Sequence, residues 1–265
     1  MSHIPRIPPR HSPNRGETDT RPMPPDPGPV GPAPRAEPAI MLPGPIILFL
    51  AILVLIQLGR GLLSYGEDLD VLLWLAFIPA RYSDLWVGFP GGLAADAWTF
   101  VTYALLHGSW AHLITNAIWL VAFGSAVAKR FGPLRFWLFT AATAAGGAAL
   151  HLATHFGENI PVVGASAAVA GLMAGACRFV FDGGGPLRMR RTGASDAAYR
   201  RPARSLLRTL SNRSALSFIA IFFALNLAIG VAGSAVGGVA IAWEAHLGGF
   251  LVGLLTFQLF DPVPR

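Results

Sequence analysis

Apolar residues along this chain gather into six long runs, near residues 45–64, 102–127, 134–155, 165–181, 215–235 and 241–260, with almost no charge inside them. A helix needs about 20 such residues to cross a hydrocarbon core about 30 Å thick. The pattern predicts six membrane-spanning helices, the fourth of them short, with both termini on one side. Between the first two runs, residues 65–97 carry Glu67, Asp68, Asp70, Asp84 and Asp96 against Arg81, and their apolar part, Val71 to Ile78, ends at Pro79. That part is too short to span and predicts an interfacial or re-entrant element. Residues 1–40 hold twelve of the 22 prolines, scattered arginines and no apolar run that builds a core. They predict a disordered cytosolic tail ahead of a membrane domain over residues 41–262. The first apolar run starts only near Pro45, too far from Met1 for a cleaved leader, so the first span is expected to be retained.

Composition strengthens this reading. The chain is 53% hydrophobic and 13% charged, whereas soluble domains carry about 25% charged residues. The net charge of +6 comes mostly from arginine, and its placement ties it to membrane topology rather than to nucleic acid. Lys129, Arg130 and Arg135 link the second and third runs, and eight arginines lie in the link from 182 to 213 against Asp182 and Asp196. Positively charged links face the cytoplasm, which puts both termini there and residues 65–97, 156–163 and 236–240 outside. An integral multi-pass protein of a bacterial inner (plasma) membrane is expected, with no nucleic-acid partner. The single cysteine, Cys177, excludes an intrachain disulfide and any multi-cysteine metal site.

Ionisable and polar groups inside spans are expensive and mark function unless a partner explains them. The ones to weigh are His107, His112, Asn116, His151, His155, Glu244 and His246. The second, fourth and sixth spans all descend from the outer face, and His107, His112 and Asn116, then Ser166, then His246 fall near their starts. A polar pocket built from three helices follows. His112 and Asn116 are four residues apart and share a helix face, while His107, about 140° round the helix from His112, serves a different contact. Ser166 follows Gly164 at the head of the short fourth span, where free backbone N–H groups accompany it. A serine hydroxyl needs a base to act as a nucleophile, and His246 supplies one. Gly249 and Gly253 form a small-residue face beyond His246 that brings its helix close to the fourth span. Backbone N–H at Ser166, with the side chains of His112 and Asn116, would stabilise an oxyanion. His151 and His155 have the spacing of a metal-binding pair. No matching carboxylate or cysteine is evident, so they are read as interfacial side chains and no metal or cofactor is expected. Glu244, two residues before His246, points to a nearly opposite helix face and is not read as a third catalytic member.

The pattern His107-x4-His112-x3-Asn116, then Gly164-x-Ser166, then Ala245-His246-x-x-Gly249-x3-Gly253 resembles the rhomboid intramembrane proteases, over roughly residues 45–260. The stretch from Trp98 through Lys129-Arg130-Phe131-Gly132 is similar to that family's second span and following link. The resemblance implies an all-α polytopic fold, a six-transmembrane-helix rhomboid-like bundle. It implies a serine endopeptidase that cuts in or beside transmembrane segments of substrate proteins within the lipid bilayer. Ser166 attacks, His246 takes its proton, His112 and Asn116 line the oxyanion site, and His107 makes structural hydrogen bonds. The implied route is an acyl-enzyme formed by a Ser-His dyad without a carboxylate or cofactor. Four positions depart from the family pattern: Ala167 replaces the usual glycine after the serine, Ala170 an aromatic, Thr99 an arginine and Ala128 an acidic residue. Ala167 is expected to crowd the backbone beside the oxyanion site, and Ala170 to remove a ring that braces His246. Two other readings remain: a rhomboid-like pseudoprotease that binds membrane clients without cutting, and a small transporter. The transporter is disfavoured because no internal repeat and no mid-span carboxylate is evident.

Overall fold

A computed structural model describes residues 42–84, 88–183, 185–186, 196–235 and 242–264. The expected tail, most of the arginine-rich segment before residue 196 and the 236–240 turn lie outside the described residues. Those described fold as helices: α1 (Gly44–Arg60), α2 (Tyr65–Leu75), α3 (Gly92–Thr102), α4 (Trp110–Phe131), α5 (Pro133–Thr154), α6 (Ser166–Cys177), α7 (Leu206–Leu210), α8 (Arg213–Ala235) and α9 (Trp243–Phe260). Helices α4 and α5, of 22 residues each, are long and apolar enough to cross a membrane.

The expected second span starts later than its apolar run. Leu106 turns the chain into extended backbone after a short 3-10 turn, Tyr103–Leu105. Ser109 then caps α4 by accepting the His112 N–H. Of the first part of the run, Thr102 ends α3, and residues 103–109 form the 3-10 turn and the link to α4. His107 therefore lies ahead of α4, and its position cannot be reckoned as an angle round that helix. A π-helical turn, Leu120–Gly124, interrupts α4, and Gly132, at φ 74°, breaks the chain before Pro133 opens α5.

The expected interfacial element is α2 followed by a 3-10 turn, Pro79–Tyr82. Ser64 and Glu67 form a capping box at the head of α2. Beyond α2, Phe77 exchanges both backbone hydrogen bonds with Val162, and Ala80 N–H donates to the Glu158 carbonyl. The loops 76–80 and 158–162 are thereby tied together beside the head of α6.

Helix α6 is the centre of the bundle. Every residue from Ala167 to Cys177 is buried, so its sequence is apolar all round rather than striped. Its small residues let neighbours approach. A Cβ at Gly249 of α9 would strike the Ala167 carbonyl, one at Gly253 would strike the Gly171 carbonyl, and one at Gly171 would strike Thr143 of α5. Outward faces are apolar as well: Ile47, Leu48 and Leu55 on α1, Ile114 and Ile118 on α4, and Leu255 and Leu259 on α9 are all exposed. At the opposite end from Ser166, the buried Arg130 pairs bidentately with Asp261 at 2.8 Å and donates to the carbonyls of Tyr199 and Arg201.

Candidate active site

The head of α6 is shaped by Gly164. Its φ of 124° lies in the region that disfavours side chains. A Cβ there would lie 2.6 Å from His112 Cε1 and 3.6 Å from Asn116 Nδ2. The bare glycine thus lets the backbone before Ser166 lie against both side chains. Gly164 N–H donates to the Tyr103 carbonyl at 3.0 Å, which fixes the turn. Ser166 follows as the first helical residue.

Ser166 Oγ stands 2.7 Å from His246 Nε2. His246 lies in the first turn of α9, held there by the packing of Gly249 and Gly253 against α6. On the other side of the imidazole, Nδ1 is 2.5 Å from Asn226 Oδ1 in α8. Asn226 Nδ2 donates to the Phe222 carbonyl at 2.8 Å, so the amide nitrogen is already used and Oδ1 faces the ring as an acceptor. The proton of a neutral His246 then resides on Nδ1, and Nε2 is free to accept the Ser166 hydroxyl.

Asn116 is 4% exposed, and its Nδ2 has no hydrogen-bond partner among the described residues. A buried donor left unpaired costs roughly 1–3 kcal/mol unless something accepts from it. His107 is buried; its Nε2 accepts the Ala165 N–H at 3.4 Å, and its ring packs edge-on to His112 with centroids 5.1 Å apart. Its carbonyl accepts from Arg60, which is paired with Asp68 at 2.6 and 2.9 Å. His107 therefore tethers α1 to the loop that carries Gly164 and Ser166.

A cavity of about 1190 Å³ joins these groups. Its lining includes His112 and Asn116 of α4, Ser166 and Met173 of α6, Asn226 of α8 and His246 of α9. Thus the structure brings Ser166, His246, His112, Asn116 and Gly164 together, with His107 directly behind them and Gly249 and Gly253 at the α6–α9 contact.

Two expectations are corrected, those on Ala167 and on the His151–His155 pair. Ala167 does not crowd this cavity: its side chain packs among Phe77, Tyr103, Ala144, Ala148 and Ala245, and Gly147 of α5 leaves room for its methyl. Ala170 faces Ala174, Phe250 and Leu254, and the bracing of His246 comes from Asn226 instead. Finally, His151 and His155 do have a carboxylate near them, Glu244. Asn226 was legible as a lone carboxamide in the apolar run Phe222-Phe-Ala-Leu-Asn226-Leu-Ala, the kind of intramembrane polar group that calls for a partner. Glu244 was reachable only through the packing of α5 on α9.

Comparison with known proteins gives the family. The Rhomboid domain family matches residues 94–260, more than half of the chain, and the chain belongs to the rhomboid family. A similar relative is the Bacillus subtilis (strain 168) protein named "Putative rhomboid protease YdcA", 33% identical over 112 residues. That match covers 39% of this chain and 55% of the relative, so the chain spans about half the length of the curated relative it matches.

Proposed function

We propose that this membrane protein is an intramembrane serine endopeptidase that hydrolyses peptide bonds in or next to transmembrane segments of other membrane proteins. The observation that carries this reading is the 2.7 Å contact of Ser166 Oγ with His246 Nε2 at the head of a buried helix. In this reading Ser166 Oγ attacks the scissile carbonyl while His246 Nε2 takes its proton, and Asn226 holds the ring and carries the charge-bearing imidazolium. The tetrahedral oxyanion accepts from backbone N–H at the head of α6 and from Asn116 Nδ2, which has no partner among the described residues. His112 adds a second side-chain donor. Collapse expels the amine, protonated by His246, and leaves an acyl-enzyme at Ser166 that water hydrolyses by the same route.

The reading places six spans in the bilayer, α1, α4, α5, α6, α8 and α9, with both termini cytoplasmic and Ser166 near the outer face. Helix α6, at 12 residues, is too short to cross on its own. Its head opens into a cavity that outer-loop residues Glu158, Ile160 and Pro161 also line. Non-helical backbone at membrane depth is tolerated where it lines such a water-filled space. Substrate would reach Ser166 laterally beside α8.

The test is cleavage of a single-span reporter by protein reconstituted in liposomes, comparing wild type with Ser166→Ala and His246→Ala. Activity is expected to fall by about 10³-fold or more in either variant, and a fluorophosphonate should label Ser166 in wild type only. Absence of both cleavage and labelling in wild type would overturn the peptidase reading in favour of a rhomboid-like protein that binds clients without cutting.

A further inference from the structure

A second cluster of side chains lines the same cavity, away from the Ser166–His246 contact. His151 lies in the last turn of α5, His155 caps that helix, and Glu244 sits in the first turn of α9. One donor atom from each lies within 4.8 Å of the other two.

Helix packing explains why three residues so far apart in sequence meet. Helices α5 and α9 touch through glycines: a Cβ at Gly248 would strike the Gly146 carbonyl, and one at Gly147 would lie 2.7 Å from the Ala245 carbonyl. His151 stands one turn beyond Gly147 and His155 a turn further, while Glu244 stands one turn before Gly248. Because the glycine contact fixes the register, the three side chains arrive at one level. Any change in that register would separate them.

The cluster combines a packed histidine pair with the features of a donor set. The two imidazoles stack face to face, with centroids 4.2 Å apart and planes 15° apart. His151 is 5% exposed, and its Nδ1 is a buried polar atom with no hydrogen-bond partner among the described residues. His155 Nδ1 lies 2.8 Å from Thr154 Oγ1, which orients the ring and leaves Nε2 as its outward donor atom. Two neutral imidazole nitrogens and one carboxylate oxygen, with a fourth side open to a cavity, are the ligand chemistry of zinc and related first-row divalent cations.

We propose that His151, His155 and Glu244 bind a divalent transition-metal ion of the zinc class, with water completing its coordination from the cavity. Binding itself is independent of the peptidase reading. Its consequence rests on that reading: an ion held by Glu244, two residues before His246, occupies part of the cavity that substrate enters and inhibits cleavage.

The experiment uses the full, untagged chain in detergent, stripped with a chelator and titrated with zinc chloride against a chromophoric chelator. Cobalt(II) absorption provides a second readout of the ligand set. Wild type is expected to bind one ion per chain. His155→Ala and Glu244→Gln should each weaken binding by about tenfold or more, since loss even of an outer-sphere partner costs that much. Both variants should keep the wild-type melting temperature within a few degrees in the chelated state, which separates loss of the site from loss of the fold. Zinc binding that both variants leave unchanged, or no saturable binding of zinc or cobalt by wild type, would overturn the site. Should binding hold and the reporter not be cut even without metal, the peptidase reading alone would fail.

Discussion

A histidine acts as a base only while the correct nitrogen is free, and at His246 that choice is made by one carboxamide on a neighbouring helix. Asn226 Oδ1 accepts from Nδ1 while Asn226 Nδ2 is spent on the Phe222 carbonyl. Replacing Asn226 by Ala removes the orienting bond and leaves the ring free to turn from Ser166. The expected effect is a fall of about 10-fold in kcat, equivalent to roughly 1–2 kcal/mol for one lost hydrogen bond. KM for a reporter should be little changed, because Asn226 acts through His246 rather than on substrate. A purely structural role would instead lower the melting temperature and leave kcat for the folded fraction intact. Gly164 supports a second residue-scale prediction. A methyl at this position would meet His112 at 2.6 Å in a backbone conformation that side chains avoid. Gly164→Ala should therefore abolish reporter cleavage and fluorophosphonate labelling of Ser166 together. Most of this site was legible in the sequence, because its members carry short-range spacing: Gly164 two residues before Ser166, His112 four residues before Asn116, and His246 ahead of Gly249 and Gly253. Asn226 stands alone in an apolar run, and its role exists only once α8 lies beside α9. The approach of Glu244 to His151 and His155 was missed because the angle from His246 was weighed and the facing helix was not.

At the scale of helices, the short α6 can be central because its neighbours carry glycine where they cross it. Gly249 packs on the Ala167 carbonyl and Gly253 on the Gly171 carbonyl, so a larger residue must push α9 away and carry His246 with it. Gly249→Val is expected to destabilise the protein by about 3 kcal/mol or more, the upper range for overpacking, and to abolish Ser166 labelling before the fold melts. A thermal-unfolding curve and the labelling yield measured on one sample distinguish the two effects. The same crossings show why helix positions were read more surely than helix ends. The run over 102–127 looked continuous because hydropathy averages across Gly108 and Ser109, whereas the backbone responds to each residue. Ser109 caps α4 by accepting the His112 N–H, and the residues before it follow α3 instead. Ala167 was expected to crowd the site because only its neighbour Ser166 was in view; the space left by Gly147 on α5 is a property of the packed pair.

For the whole molecule, positive charge was read as a topological label, and part of it is also structural. Arg130 is fully buried in its side chain and pairs with Asp261, itself 3% exposed, at 2.8 Å. The pair joins the end of α4 to the residue that follows α9. Removing one partner leaves an uncompensated buried charge, which costs about 3–5 kcal/mol. Asp261→Ala should lower the melting temperature markedly, and the double variant Arg130→Met, Asp261→Leu should recover much of the loss. The six-span arrangement can be tested by the same economy of residues, since Cys177 is the one cysteine in the chain and is buried. In a Cys177→Ala background, single cysteines at Glu158 and at Arg208 should report opposite faces, because four spans precede Arg208 and three precede Glu158 in the proposed order. A membrane-impermeant maleimide added to intact cells should label the cysteine at residue 158 and reach that at 208 only after permeabilisation. Labelling of both from outside would place an even number of crossings between them. In that event the arginine-rich link could not be cytoplasmic, and α6 would not cross the bilayer between the two residues.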